Sequence, residues 1–241
     1  MTIIVYGRNA VTASIESGSA VRLLTLRRLE NDAISLLAKK KGVHIEIVDE
    51  GLLLKMAKNP AHQGFVVVAE AKKTISLPSM IEKTKGKKNS LILMLDGIED
   101  PQNLGAILRS ADAFGVDGII MKSRGEAPLN GTVAKVSTGA IEYVDVSIVP
   151  NLSNAIKLLK DAGYWVVASD GSAKQTYDEV NYDCPIVLVI GSEGFGISRL
   201  VLQNSDFIIK IPMFGHVNSL NASVATGILL SAINRLRKPL P

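Results

Sequence analysis

The sequence predicts an α/β protein with a parallel sheet in its C-terminal part and a smaller α/β unit before it. Three observations carry this prediction. Short apolar runs recur between residues 91 and 211 and are nearly continuous rather than alternating, the pattern of strands buried on both faces. Helical spacings of apolar residues separate several of these runs. A lysine-rich stretch at 71–90 divides this region from a shorter one in which strand and helix patterns also alternate.

In chain order, Val21 to Leu26 and Val43 to Val48 read as strands, and Leu29 to Lys40 and Leu52 to Ala57 as helices. Phe65 to Ala69 reads as a buried strand. Gly7-Arg8-Asn9 has the composition of a helix cap, and His62-Gln63-Gly64 that of a tight polar turn. Residues 1–70 are therefore expected to form one small unit and 71–90 a linker, with a short helix after Pro78. Residues 91–241 form the larger domain.

In that domain strands are expected at Leu91 to Leu95, Gly118 to Met121, Tyr143 to Val149, Trp165 to Ser169, Ile186 to Ile190 and Phe207 to Ile211. Helices are expected at Leu104 to Phe114 and Leu152 to Ala162. A last helix follows residue 221, with an apolar ladder at Ala225, Ile228, Leu229, Ala232, Ile233 and Leu236.

Three polar interruptions break the sheet pattern. After the first strand comes Asp96 to Gly115, in which Asp100 and Pro101 suit a helix cap and first turn and Leu104, Ile107, Leu108, Ala111 and Phe114 form the buried stripe. Arg109 then lies about 140° round the helix from Leu104, on the opposite face, with Gly105 one turn before it. An exposed arginine is commonly only solvated, so the position alone decides nothing.

The second interruption, Gly191 to Gly196 (GSEGFG), lies between a strand and a helix but fails the dinucleotide pattern. Glu193 stands where GxGxxG requires glycine, and its carboxylate would repel a pyrophosphate. The loop suits a neutral or cationic ligand better. The third is Ile211 to Leu230, where Asn218, Ser219 and Asn221 can cap a helix and also present polar groups at its positive end. If the strands are neighbours, all three loops converge at the carboxyl edge of the sheet, where parallel α/β proteins bind ligands.

Composition narrows the classes. No apolar run is long enough to span a bilayer, and the N-terminus lacks a basic flank followed by a long apolar segment, so a cytoplasmic protein is expected. A single cysteine, Cys184, precludes an internal disulfide, and His44, His62 and His216 are too scattered for a metal cluster, so no metal is expected. The net charge of +4 is unevenly spread: residues 71–90 carry 6 basic and 1 acidic group, whereas 91–241 carry 12 and 15. Lys83, Lys85, Lys87 and Lys88 belong either to a solvated linker or to a phosphate-attracting strap.

Together, DPQNLGAILRSADAFG, IVLVIGSEGFGIS and IPMFGHVNSLNASVATGILL resemble the three ordered motifs of the SpoU (TrmH) family of RNA ribose 2′-O-methyltransferases, over roughly residues 91–237. YGRNAV and HQG are similar to the small substrate-binding domain of the RlmB-type subgroup, which modifies a guanosine in large-subunit (23S) ribosomal RNA. The resemblance implies a SPOUT domain whose C-terminal segment forms a deep trefoil knot, a homodimer joined through that domain, and S-adenosylmethionine as methyl donor. It implies cofactor contacts at Gly191, Ile211 and Leu220, and at Thr138-Gly139. It makes Arg109 the activating residue, supported by Asn103, Glu193, Ser219 and Asn221. Arg8 and the four lysines are then candidate RNA contacts.

A free arginine stays protonated, so a literal base role for Arg109 is chemically demanding. Binding of a phosphate or of the developing alkoxide is the alternative. A transfer-RNA ribose methyltransferase and a non-catalytic RNA-binding protein are the competing readings; the broken glycine pattern disfavours a dinucleotide-dependent oxidoreductase.

Overall fold

The computed structural model describes residues 2–237 and divides into two compact units. The first comprises residues 1–73 and 128–143, the second 74–127 and 144–241.

The first unit is built on a four-stranded sheet ordered β1-β4-β2-β3. Its strands are β1 (Thr2–Tyr6), β2 (Ala20–Leu26), β3 (His44–Val48) and β4 (Phe65–Glu70). β4 is antiparallel to both β1 and β2, and β2 is parallel to β3. The helices are α1 (Arg8–Ser17), α2 (Ala33–Lys40) and α3 (Glu50–Ala57). The expected helix over 29–40 starts later because Asp32 caps it, accepting from the Ile34 amide at 3.0 Å, while Arg27–Leu29 form a 3-10 turn. β1 carried no sequence expectation; its place beside β4 makes it a strand.

In the second unit α4 (Leu77–Thr84) precedes β5 (Leu91–Asp96), α5 (Pro101–Ala113) and β6 (Gly118–Lys122). α6 (Gly131–Val136) belongs to the first unit. Then follow β7 (Val146–Val149), α7 (Leu152–Asp161), β8 (Trp165–Ser169) and β9 (Gln175–Thr176). The last elements are β10 (Ile186–Gly191), α8 (Arg199–Asn204), β11 (Phe207–Lys210) and α9 (Ala222–Arg237). The strands form one parallel seven-stranded sheet ordered β7-β6-β5-β10-β8-β11-β9, with β5, β10 and β8 buried through the centre.

Several expectations change. The strand expected from Tyr143 begins at Val146, because Ala140–Glu142 form a 3-10 turn. Residues 71–90 are more than a linker: Leu77 and Met80 of α4 are buried in the core of the second unit, and Thr84 and Ser90 share buried hydrogen bonds with Tyr164. The buried side of α9 comprises Ala222, Thr226, Leu229, Leu230, Ile233 and Arg237; Ile228 and Leu236, expected in its apolar ladder, are exposed. Arg237 is buried because its guanidinium donates to the carbonyls of Asn89, Ser90, Tyr182 and Cys184.

Residues 128–143 join the first unit for a steric reason. Gly131 opens α6 so close to β1 that a Cβ there would sit 1.8 Å from the Ile4 carbonyl oxygen. Asn130 caps α6 through the Thr132 and Val133 amides at 3.0 and 3.1 Å. A break in the chain's grouping of this kind leaves no mark in composition.

Candidate active site

β5 and β10 are hydrogen-bonded neighbours with Gly191 level with Asp96, so their following loops start side by side. β11 is not beside β10; β8 lies between them. Because the sheet is parallel, all four loops still open on one edge, and the β8 loop, Ser169-Asp170-Gly171, joins the site. That loop is a contributor the sequence reading missed, although a polar-glycine turn directly after an apolar strand was its available signal.

At this edge the three motif loops meet through side chains. Asn103 on the first turn of α5 donates through Nδ2 to Glu193 Oε1 at 3.0 Å. Asn221 donates through Nδ2 to Asn103 Oδ1 at 2.8 Å and also to Glu193 Oε1. The Ala222 amide, at the start of α9, faces the same carboxylate oxygen at 3.4 Å. Asn221 uses its other end for structure: Oδ1 accepts from the Ser223 and Val224 amides at 2.9 and 3.2 Å and from the Ser223 hydroxyl at 2.6 Å. One side chain therefore caps the helix and positions the carboxylate.

Glu193 borders two clefts. The first is lined by Gly191, Ile211, Ser219 and Leu220 together with the β8 loop, and encloses about 750 Å³ including its open mouth. The second lies on the other side of the 192–196 hairpin and is lined by Asp96, Asn103, Lys122 and Phe195 among others. The hairpin is closed by mutual backbone bonds of Ser192 and Gly196 at 2.9 and 3.2 Å. Gly191 must be glycine: a Cβ would stand 2.3 Å from the Gly196 carbonyl carbon.

Beneath the second cleft Asp96 is 4% exposed and joins three segments. It pairs with Lys122 Nζ at 2.7 Å and accepts from the Ser198 amide at 2.8 Å, and its own carbonyl accepts from the Ser192 amide at 3.1 Å. Burial pushes its carboxyl up, but Lys122 and the Ser198 bonds outweigh this, and the net shift is downward. Glu126 does the reverse: burial raises its pKa although it accepts from the Gly97 and Ile98 amides, both at 2.8 Å. Asp96 was not singled out from the sequence, where an aspartate ending a strand has no distinctive context.

Arg109 is exposed and makes no hydrogen bond or ion pair among the described residues. It lies six residues beyond Asn103 on α5, about 9 Å along the axis and about 120° round it. Gly105, one turn before it, is buried.

The remaining candidates lie elsewhere. Thr138, with φ 53°, and Gly139 belong to the first unit, where a Cβ on Gly139 would stand 2.3 Å from that of Ala13. In the same unit Arg8 makes a bidentate pair with Asp32 at 2.9 and 3.0 Å and lies over the Phe65 ring. Its amide donates to Gln63 Oε1 at 2.9 Å, which also accepts from Lys135 Nζ at 3.2 Å, so the HQG turn caps α1 from a distance. Lys83 pairs with Asp145 and Lys87 with Asp117, both at 2.7 Å, while Lys85 reaches Glu82 at 3.4 Å. Lys88 is exposed.

Known proteins are similar to this chain in sequence and fold. The family model described as the SpoU rRNA Methylase family matches residues 90–231, and that described as RNA 2′-O ribose methyltransferase substrate binding matches residues 4–75. A Staphylococcus saprophyticus protein named for the TrmH family of tRNA/rRNA methyltransferases is 41% identical over 240 residues, covering 98% of this chain and 96% of that one. The crystal structure of the SpoU methyltransferase AviRb from Streptomyces viridochromogenes in complex with AdoMet superposes with a TM-score of 0.82 at 25% identity, covering 98% and 90%. That of the A. aeolicus TrmH/SpoU tRNA modifying enzyme has a TM-score of 0.57 at 33% identity, covering 67% and 82%.

Proposed function

This chain belongs to the SpoU rRNA methylase family, and on that premise we propose that it methylates a ribose 2′-hydroxyl of RNA, a guanosine of 23S ribosomal RNA, with S-adenosylmethionine as donor. The observation that carries the reading is Glu193, held by Asn103 and Asn221 on the wall between two clefts. Two reactants entering from opposite sides would meet there.

The residues of the first cleft fit the cofactor. Its lining of backbone, small polar and apolar groups carries two carboxylates, Asp170 and Glu193, a set that accepts a cationic sulfonium and rejects a pyrophosphate. Gly191, Ile211 and Leu220 would hold it, and when bound it supplies an electrophilic methyl group.

The acceptor hydroxyl is a poor nucleophile until its proton is drawn away and must lie in line with the methyl group. Asn103 and Asn221 fix the Glu193 carboxylate, and Ser219 supplies a further hydroxyl at the mouth of the first cleft. Arg109 would hold an RNA phosphate or the developing alkoxide through its planar fork, the proton passing to phosphate or water. Asn103 and Arg109 point in different directions on α5, which favours Arg109 serving the cleft of a second copy in a homodimer. A deep trefoil knot belongs to the same reading, supported by α9 returning from the far side of β8 to pack on α5.

The match at residues 4–75 supports an RNA substrate, and we take this to be ribosomal rather than transfer RNA, in the cytoplasm. Primer extension at limiting nucleotide, on RNA from cells with and without the protein, tests this. A stop in 23S RNA that disappears with the protein supports the reading; one that disappears from a transfer RNA moves the target; no change in either overturns it.

A further inference from the structure

Phe195 is 99% exposed at the tip of the hairpin that carries Glu193. Nothing in the folding of the chain explains it, since leaving a phenylalanine side chain in water forgoes about 2 kcal/mol of burial. Nor is the ring on a loose segment. Its amide faces Ser192 Oγ at 3.3 Å, and the paired backbones of Ser192 and Gly196 close the turn around it. Among the described residues, it supplies the one aromatic ring in the lining of the two clefts, and it lines the second.

The acceptor chemistry states what such a ring would serve. A ribose hydroxyl reaches a recessed carboxylate only if its nucleotide leaves the stack, and an unstacked base is commonly held on an aromatic face. The second cleft is lined by Asn103, Lys122 and the carboxylates of Asp96, Glu99, Asp100 and Glu193, with Ile98, Ala222 and the Phe195 ring as its apolar groups. That composition suits a ribose, whose hydroxyls can donate to the carboxylates, with its base over the exposed ring and its phosphates outside the cleft. Resting on the function proposed above, we infer that Phe195 is the stacking platform for the base of the acceptor nucleotide, and that the second cleft is the acceptor subsite.

Stacking is tolerant of base identity, because every base has a π face. Phe195 would therefore set affinity and orientation and leave the choice of base to other contacts. It would not affect the first cleft, whose lining excludes it.

The test uses Phe195→Ala, Phe195→Leu and Phe195→Trp with total RNA from cells lacking the protein as acceptor. Loss of one base stack raises the half-saturating RNA concentration of the Ala variant about 5- to 100-fold. Trp restores it, Leu does not, and S-adenosylmethionine affinity by calorimetry stays within about twofold in all three. Unchanged RNA half-saturation in the Ala variant overturns the proposal. Restoration by Leu also overturns it, showing a need for apolar bulk alone. A lower molecular mass of the Ala variant by light scattering assigns Phe195 to a subunit contact instead. If the wild type transfers no methyl group, the proposed function fails separately, and filter binding of the same RNA then decides: equal retention of wild type and Ala variant rejects the stacking role.

Discussion

The Asn221 amide donates to the Glu193 carboxylate from 28 residues away while its carbonyl oxygen caps α9, so helix start and site geometry depend on one side chain. The two duties can be separated. Asn221→Ser keeps a capping oxygen, and its stability in urea should stay within about 0.5 kcal/mol of wild type. It loses the arm that reaches Glu193 and Asn103, and methyl transfer should fall about 100-fold, the scale of a misplaced reacting group. Asn221→Ala should show the same loss with about 1 kcal/mol of destabilisation added. Full activity in the Ser variant would show that the arm has no role.

Gly191→Ala introduces a methyl group 2.3–2.5 Å from the backbone of Gly196 and Ile197. The hairpin must shift, and it walls both clefts. Calorimetry should find S-adenosylmethionine affinity reduced at least about tenfold, or roughly 1.4 kcal/mol. Wild-type affinity in the variant would mean that the hairpin does not shape the cofactor cleft.

How much of this was legible in the sequence differs between the two units. β5, β8 and β10 are long apolar runs buried on both faces, so pattern alone located them, and Asn103, Glu193 and Asn221 stood in the loops that follow β5, β10 and β11. The insertion of β8 between β10 and β11 was not legible, because strand order depends on crossovers rather than local spacing. Nor was the attachment of 128–143 to the first unit, which turns on one backbone approach at Gly131. Ile228 and Leu236 misled because their spacing fits a helix whose buried face is instead defined by α5 and by the carbonyls around Arg237.

Asp96 gives a stability prediction with a defined sign. Its carboxyl is held below the usual value of 3.8, so its contribution is present above about pH 4 and is lost as pH falls through the depressed folded value. Asp96→Asn leaves Lys122 unpaired, and because that lysine is partly exposed the cost should be about 2 kcal/mol, below that of a fully buried pair. Urea unfolding at pH 7 should show that deficit, and it should shrink at pH 3. An equal deficit at both values would assign it to packing.

The lysines of 83–88 should divide by their partners. Lys83 and Lys87 are paired with Asp145 and Asp117, whereas Lys85 faces Glu82 only at 3.4 Å. Lys85→Gln with Lys88→Gln should flatten the salt dependence of RNA binding by about 0.7–0.9 for each phosphate no longer neutralised. Lys83→Gln with Lys87→Gln should change that slope less and lower stability more. Filter binding across a salt series with parallel urea melts reads both; equal slopes in wild type and the Lys85/Lys88 variant would make the segment structural only.

The most direct measurement is transfer of labelled methyl from S-adenosylmethionine to RNA by the purified chain, followed by alkaline hydrolysis of the product. Methylation of a 2′-oxygen blocks cleavage at that ribose, so the account predicts label in an alkali-resistant dinucleotide, and its loss in the Asn221→Ser variant. Label recovered in mononucleotides, which would place the methyl group on a base, or no transfer at all, would contradict it.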